Sequence, residues 1–127
     1  MKIGPIVPVL RMFDEAAARD FYVGFLGFAV TFEHRFAPDL PLYLGLALGD
    51  AVIHLSGHNG DGSPGANIRI QIDDVDAFQQ VLLAKQYKHA RPGVVDQEWG
   101  ARECSVGDPF HNRLTFWSPL PRPRSAW

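Results

Sequence analysis

"DEAAARDFYVGFLGF", residues Asp14 to Phe28, carries the first structural signature of the chain. Asp14 is a residue type that caps helix N-termini, and Ala18, Phe21, Tyr22 and Phe25 follow at helical spacing on one face. Gly27 supplies the stop. Just upstream, "IVPVL" (Ile6 to Leu10) reads as a short apolar strand. Sixty residues on, the same order returns: "NIRIQID" is a strand, and Asp74 caps a helix with Phe78, Val81 and Leu82 on one face.

Each helix is followed by strand candidates. In the first half these are "AVTFEHRF", "LYLGLAL" and "AVIHLS"; in the second they are a stretch near "ARPGVV", then "ARECSV" and "NRLTFWS". Turns fall at Pro38 to Pro41, Gly49-Asp50 and Asp108-Pro109. The polar, glycine-rich "SGHNGDGSPGA" links the halves. The chain therefore reads as an α+β protein of two tandem βαβββ modules, about 1–57 and 66–118, within one domain spanning 1–118. The Pro- and Arg-rich end, 119–127, is expected to be a mobile tail.

Such a module buries one face of its strands under its own helix, and the other needs the second module. A curved mixed sheet around a cleft is the expected result. The period-2 rule then assigns the faces. Ile68, Ile70 and Ile72 go beneath the helix, leaving Asn67, Arg69 and Gln71 for the cleft. Ile53 and Leu55 go inward, leaving Val52, His54 and Ser56; Leu114 and Phe116 go inward, leaving Arg113, Thr115 and Trp117. Glu103 lies on the polar face of "ARECSV", away from Cys104 and Val106.

Composition bounds the function. The 127 residues are 46% hydrophobic and 20% charged with a net charge of -2, so no basic stripe points to nucleic acid. No apolar run approaches the roughly 18 residues of a membrane span, and no signal-peptide pattern opens the chain. Cys104 is the sole cysteine, which fits a reducing cytoplasm and a small buried hydrophobe rather than a nucleophile.

The duplicated pattern, with "VPVL", "DFYVGFLGF", "DQEWGARE" and "DPFHNRLTF" in that order, resembles the glyoxalase/bleomycin-resistance/dioxygenase (vicinal oxygen chelate) superfamily from Ile6 to about Ser118. The last two fragments look most like the bleomycin-resistance branch. Metal-dependent members of that family take ligands from the first and last strands of each module. The matching positions here are Val7 (or Pro8), His54, Asn67 and Thr115. One imidazole and two weak oxygen donors make a poor divalent site, so no metal and no cofactor are expected. A substitute cluster of His54, Glu103 and His34 is the metal-dependent alternative, a glyoxalase-, dioxygenase- or thiol-transferase-type enzyme. A third possibility is an enzyme without metal, with His54 or Glu103 as general base.

The resemblance instead implies a protein that sequesters a small planar hydrophobic molecule in the manner of bleomycin-resistance proteins. Trp99, between polar residues and Gly100, matches the tryptophan that helps sandwich a flat drug there; the alternative is that it covers the core edge. Phe32, Phe36 and Tyr43 are candidates for an opposing wall, with packing the simpler role for Phe32. His54, Arg69, Glu103, Arg113, Thr115 and Trp117 complete the expected ligand-contacting set. The two arginines temper an assignment to a cationic drug. Outside this set, His54 has a plainer reading, an imidazole bonded to Ser56, Asn67 or water. "DPFHN" reads as a turn with His111 solvated at its tip. Pro8 removes a ladder N–H; in bleomycin-resistance relatives a proline here accompanies an N-terminal strand exchanged within a homodimer.

Overall fold

The computed structural model describes residues 1–121, and the chain divides into two compact units. The first comprises Met1–Ala66 with Asp108–Asn112, and the second Asn67–Gly107 with the chain from Arg113 onward. Residues 122–127, Trp127 and most of the expected tail among them, lie outside the described residues. Pro119 still belongs to the last strand, and Leu120 donates its N–H to Gly100 O at 2.8 Å.

The first unit runs β1 (Val9–Arg11), α1 (Glu15–Arg19), a π-helical turn (Asp20–Phe25), β2 (Ala29–His34), β3 (Tyr43–Leu48) and β4 (Ala51–Ser56). Its sheet has the order β1-β4-β3-β2, with β1 parallel to β4 and the other pairs antiparallel. The second unit runs β5 (Asn67–Gln71), α2 (Val75–Ala84), β6 (Val95–Asp96), β7 (Ala101–Gly107) and β8 (Arg113–Pro119). Its order, β5-β8-β7-β6, repeats the plan with β5 parallel to β8. Both units are βαβββ, and the class is α+β.

Local chemistry explains the boundaries. Asp14 and Asp74 each cap their helix by accepting the N–H three residues on, from Ala17 and Ala77, both at 2.9 Å. In the first helix Leu26 N–H reaches back five residues to Phe21 O, a wider turn than the spacing predicts. Ala18, Phe21, Tyr22 and Phe25 are buried all the same, because so short an apolar stripe fits either pitch. Gly27 ends the segment with φ of 90°, a conformation glycine adopts at little cost.

Three expected elements change. The first strand begins at Val9, not Ile6, which is 91% exposed. Pro8 has no N–H to give; its carbonyl accepts from His54 N at 2.9 Å and the ladder starts beyond it. In α2, Val75 and Leu82 are buried and Phe78 packs on Phe116 with ring centroids 4.4 Å apart, whereas Val81 is exposed. A seam advancing by three and then four residues leaves Val81 to one side. The strand near "ARPGVV" shrinks to Val95–Asp96, following Pro92 and Gly93.

The turn Asp108–Asn112 is built around a buried carboxylate. Asp108 Oδ1 accepts the N–H groups of Phe110 and Asn112, both at 2.8 Å. Its Oδ2 accepts the Tyr22 hydroxyl at 2.6 Å and Asn112 Nδ2 at 2.9 Å. Burial, then the Asp108 charge and the hydrogen bond to it, raise the Tyr22 pKa far above its ordinary value. His111, exposed at the tip, adopts φ of 68°.

Candidate ligand-binding site

In the second unit, alternation along paired strands brings Arg69, Glu103, Ser105, Thr115 and Trp117 onto one sheet face. Arg69 stands opposite Thr115, and β8 pairs Thr115 with Ser105 and Trp117 with Glu103. Arg69 Nη2 donates to Glu103 Oε2 at 2.6 Å, while its guanidinium carbon lies 5.5 Å from the Trp117 ring centroid. Trp99 Nε1 donates to the same Oε2 at 3.0 Å. Glu103 thus ties down both a guanidinium and an indole whose residue is 62% exposed. The Arg69 hydrogen bond holds the Glu103 pKa below the usual carboxylate range; burial opposes this, and donation from Trp99 and Gln97 assists it. Thr115 is buried with its hydroxyl 2.9 Å from that of Ser105, and Arg113 is exposed at the start of the strand.

The other face of β7 is different. Arg102 bonds Asp76 on α2 and Asp96 on β6, which draws the Asp76 pKa down. Beside it Cys104 is buried, and burial pushes its thiol up to about 11, so the thiolate is scarce near neutrality.

In the first unit, Phe32, Tyr43 and His54 meet. Phe32 stacks on Tyr43 at 6.0 Å and stands edge-on to His54 at 5.1 Å. His54 Nδ1 is 2.8 Å from the Tyr43 hydroxyl. With Tyr43 donating, the proton of a neutral ring sits on Nε2. Burial, followed by the Asp61 charge, raises the Tyr43 pKa. The expected partners Ser56 and Asn67 are therefore replaced. Ser56 is buried and donates to Asp61 Oδ2 at 2.6 Å, while Tyr43, opposite Ser56, is diagonal to His54 across the ladder and long enough to reach it.

A bulge gives Phe32 its position. Val30 pairs with Leu46 but Phe32 pairs with Gly45, leaving Thr31 as the extra residue. The Phe32 ring lies so close over Gly45 that a Cβ there would overlap it and the Thr31 hydroxyl. Phe36 stands apart from this trio, against His34 at 4.5 Å and His58 at 5.8 Å, and is 74% exposed.

The residues present do not fit a catalytic metal. Among the described residues no three His, Cys, Asp or Glu side chains gather to hold an ion. Val7 offers no donor, Thr115 is engaged with Ser105, and Glu103 is held by Arg69 and Trp99.

Three members of this arrangement escaped sequence reasoning. Ser105 was legible by period 2 from Glu103. Gly45 was signalled as a glycine inside a strand, which marks close approach. Gln97, in the turn before Trp99, left no signal.

A βαβββ repeat with ligand-type side chains on the sheet faces defines a class of fold shared by enzymes and binding proteins. The family described as "Glyoxalase superfamily protein" matches residues 1–120, and the chain belongs to it. The structure is similar to that of a bleomycin-binding protein solved with bleomycin, with a TM-score of 0.69 and 20% identity over 91% of this chain and 98% of that one. It is also similar to TnmS3, an antibiotic-binding protein from Streptomyces sp. CB03234 (TM-score 0.70, 22% identity, 94% and 98% covered). A glyoxalase-related enzyme from Clostridium phytofermentans gives a TM-score of 0.72 at 17% identity, with 94% and 98% covered. At these identities the likeness is one of fold. No curated protein matches the sequence.

Proposed function

We propose that the protein binds and sequesters a small, largely planar hydrophobic molecule, without a metal and without covalent chemistry. The observation that carries this reading is Trp99. Its N–H is committed to Glu103 while the residue is 62% exposed, so the flat indole is held outward and pinned at one end. Stacking on such a surface contributes about 0.5–1.5 kcal/mol beyond area burial. The bleomycin-binding and antibiotic-binding proteins of this fold favour an antibiotic-like ligand. Arg69, Glu103 and Trp117 act with Trp99 in this reading, while Phe32, Tyr43 and His54 supply a second aromatic surface. Phe36, Arg113 and Thr115 are assigned lesser contacts.

Titration with bleomycin and with flat aromatic antibiotics tests the proposal. Tryptophan emission should change saturably, and EDTA should not alter the affinity. Trp99→Ala should weaken binding by roughly 2 kcal/mol, the scale of an interface hot spot, and Trp99→Phe by less. Both variants should melt close to the parent. Unchanged affinity with a large loss of stability would assign Trp99 to the core edge and remove the reading.

We further propose that the working form is a homodimer with exchanged N-terminal strands, in the reducing cytoplasm. Met1, Ile3 and Ile6 are almost fully exposed in the single chain, a poor arrangement for apolar side chains that a second copy would cover. Sedimentation should give twice the chain mass at micromolar protein, and removal of residues 1–8 should shift it to the monomer. A monomer for the intact chain at that concentration would exclude the exchange.

A further inference from the structure

We infer that the ligand taken at the Trp99–Arg69 cluster is an aromatic anion, a flat ring system carrying a carboxylate or similar oxyanion; this rests on the planar-ligand reading above. The Arg69–Glu103 pair is formally neutral, but its two ends are presented unequally. The Glu103 side chain is 8% exposed and that of Arg69 is 42% exposed. Glu103 is covered and its Oε2 already accepts from Arg69 and Trp99, so it is less open to a cationic ligand than Arg69 is to an anion. Arg69 bonds to Glu103 through Nη2, and a guanidinium carries five N–H donors. One of its sides faces Trp117, which fixes its plane without using its remaining edge.

Water therefore meets a guanidinium edge and an indole face in one unit, both tied to the same oxygen. A planar aromatic carboxylate matches both: the ring stacks on Trp99, and the oxyanion accepts from Arg69 in the fork geometry that guanidinium favours. The exposed charges nearby are mixed in sign. Arg113 is exposed farther along β8 on the same alternation as Trp117. Asp76 and Asp96 are held by Arg102, which alternates to the opposite face of β7 from Glu103. Glu98, next to Trp99, is exposed, and water and salt screen its charge.

Three ligands with one ring and different charges test this by calorimetry on the full-length protein: 2-naphthoate, 2-naphthamide and 2-naphthylmethylammonium. The naphthoate should bind at least tenfold tighter than the amide, the ammonium should bind weakest, and added salt should weaken the naphthoate most. Arg69→Gln should lower naphthoate affinity about tenfold and amide affinity far less. Glu103→Gln keeps acceptors for Arg69 and Trp99 but removes the opposing charge, so it should strengthen naphthoate binding several-fold. Equal binding of naphthoate and amide, or tighter binding of the ammonium, would overturn the anion assignment and leave the planar-ligand reading in place. Failure of all three ligands to bind would overturn both.

Discussion

At matched places in the two repeats, Val9 stands where Arg69 stands, Tyr43 where Glu103, Gly45 where Ser105, His54 where Thr115, and Ser56 where Trp117. The strand registers make these pairs equivalent: Val9 and Gly45 flank His54 as Arg69 and Ser105 flank Thr115. One backbone plan thus carries two chemistries. In the first unit these positions hold Tyr43 and His54, joined by a hydrogen bond, with Phe32 from β2 packed against both rings. In the second they hold the Arg69–Glu103 ion pair with Trp117 against the guanidinium, and Trp99 joins from the turn before β7. Topology decides where a side chain stands, and residue type decides what it does there. At the position matched to His54 the second repeat carries Thr115, a far weaker metal donor than a second imidazole.

The contrast also separates how the units are held. The first unit buries a carboxylate, Asp108, that accepts four hydrogen bonds, whereas the ion pair of the second is half open to water. Asp108→Ala should therefore have the largest effect. It strips four hydrogen bonds at once and leaves the Tyr22 hydroxyl, Asn112 Nδ2 and two backbone N–H groups without that acceptor. A loss of roughly 3–4 kcal/mol is expected in urea unfolding, and a loss below about 1 kcal/mol would show that water replaces the carboxylate.

The matched pair Gly45 and Ser105 sharpens the comparison. Gly45→Ala should cost about 1–3 kcal/mol, because the new methyl displaces the Phe32 ring and strains the bulge. Ser105→Ala, at the equivalent place, should cost about 1 kcal/mol, the worth of the bond to Thr115. Thermal melts in parallel measure both, and a loss at Gly45 well below that at Ser105 would contradict the close approach of Phe32 to the backbone.

Glu103→Gln should lower stability at neutral pH by about 1 kcal/mol, a modest figure because Arg69 is well exposed. Its signature is the pH dependence. Arg69 holds the folded carboxyl below the ordinary 4.5, so the stabilisation is complete above that value and is lost as pH falls through the lower folded value. The variant should flatten the acid limb of stability against pH, and an unchanged limb would show that Glu103 contributes no linkage.

The smallest effect belongs to the Phe32–Tyr43–His54 trio. Tyr43→Phe should cost about 0.5–1 kcal/mol, since it removes one partly buried hydrogen bond. The His54 ring signals in NMR should shift with the loss of the hydroxyl bonded to Nδ1. An unaltered ring would place the Tyr43 proton elsewhere.

Much of the second unit's face was legible because β5, β7 and β8 are regular and paired without slips. Counting by two was enough to bring Arg69, Glu103, Thr115 and Trp117 onto one side. The first unit resisted the same count at β2, where the bulge at Thr31 changes the phase and all six residues are exposed. His54 was placed correctly on its strand, but its partner was not. Hydrogen bonds across a ladder depend on side-chain reach along the diagonal, which register and length determine together. The buried Asp108 was hidden for a related reason. "DPFHN" is an ordinary turn by composition, and nothing local announces that Tyr22, 86 residues away, will close on it.

The sequence by itself determined the repeat, the caps at Asp14 and Asp74, the inward and outward faces of regular strands, and the family. These follow from periodicity and from bonds that close within a few residues, so local chemistry suffices. Only the tertiary structure decided that Glu103 belongs to Arg69 and Trp99, that Tyr43 takes His54, and that Asp108 is enclosed. Arg69–Glu103 and Tyr22–Asp108 join segments 34 and 86 residues apart, and Tyr43–His54 and Trp99–Glu103, nearer in sequence, still depend on strand pairing and burial. A polar group excluded from water takes whichever partner the fold brings within about 3 Å.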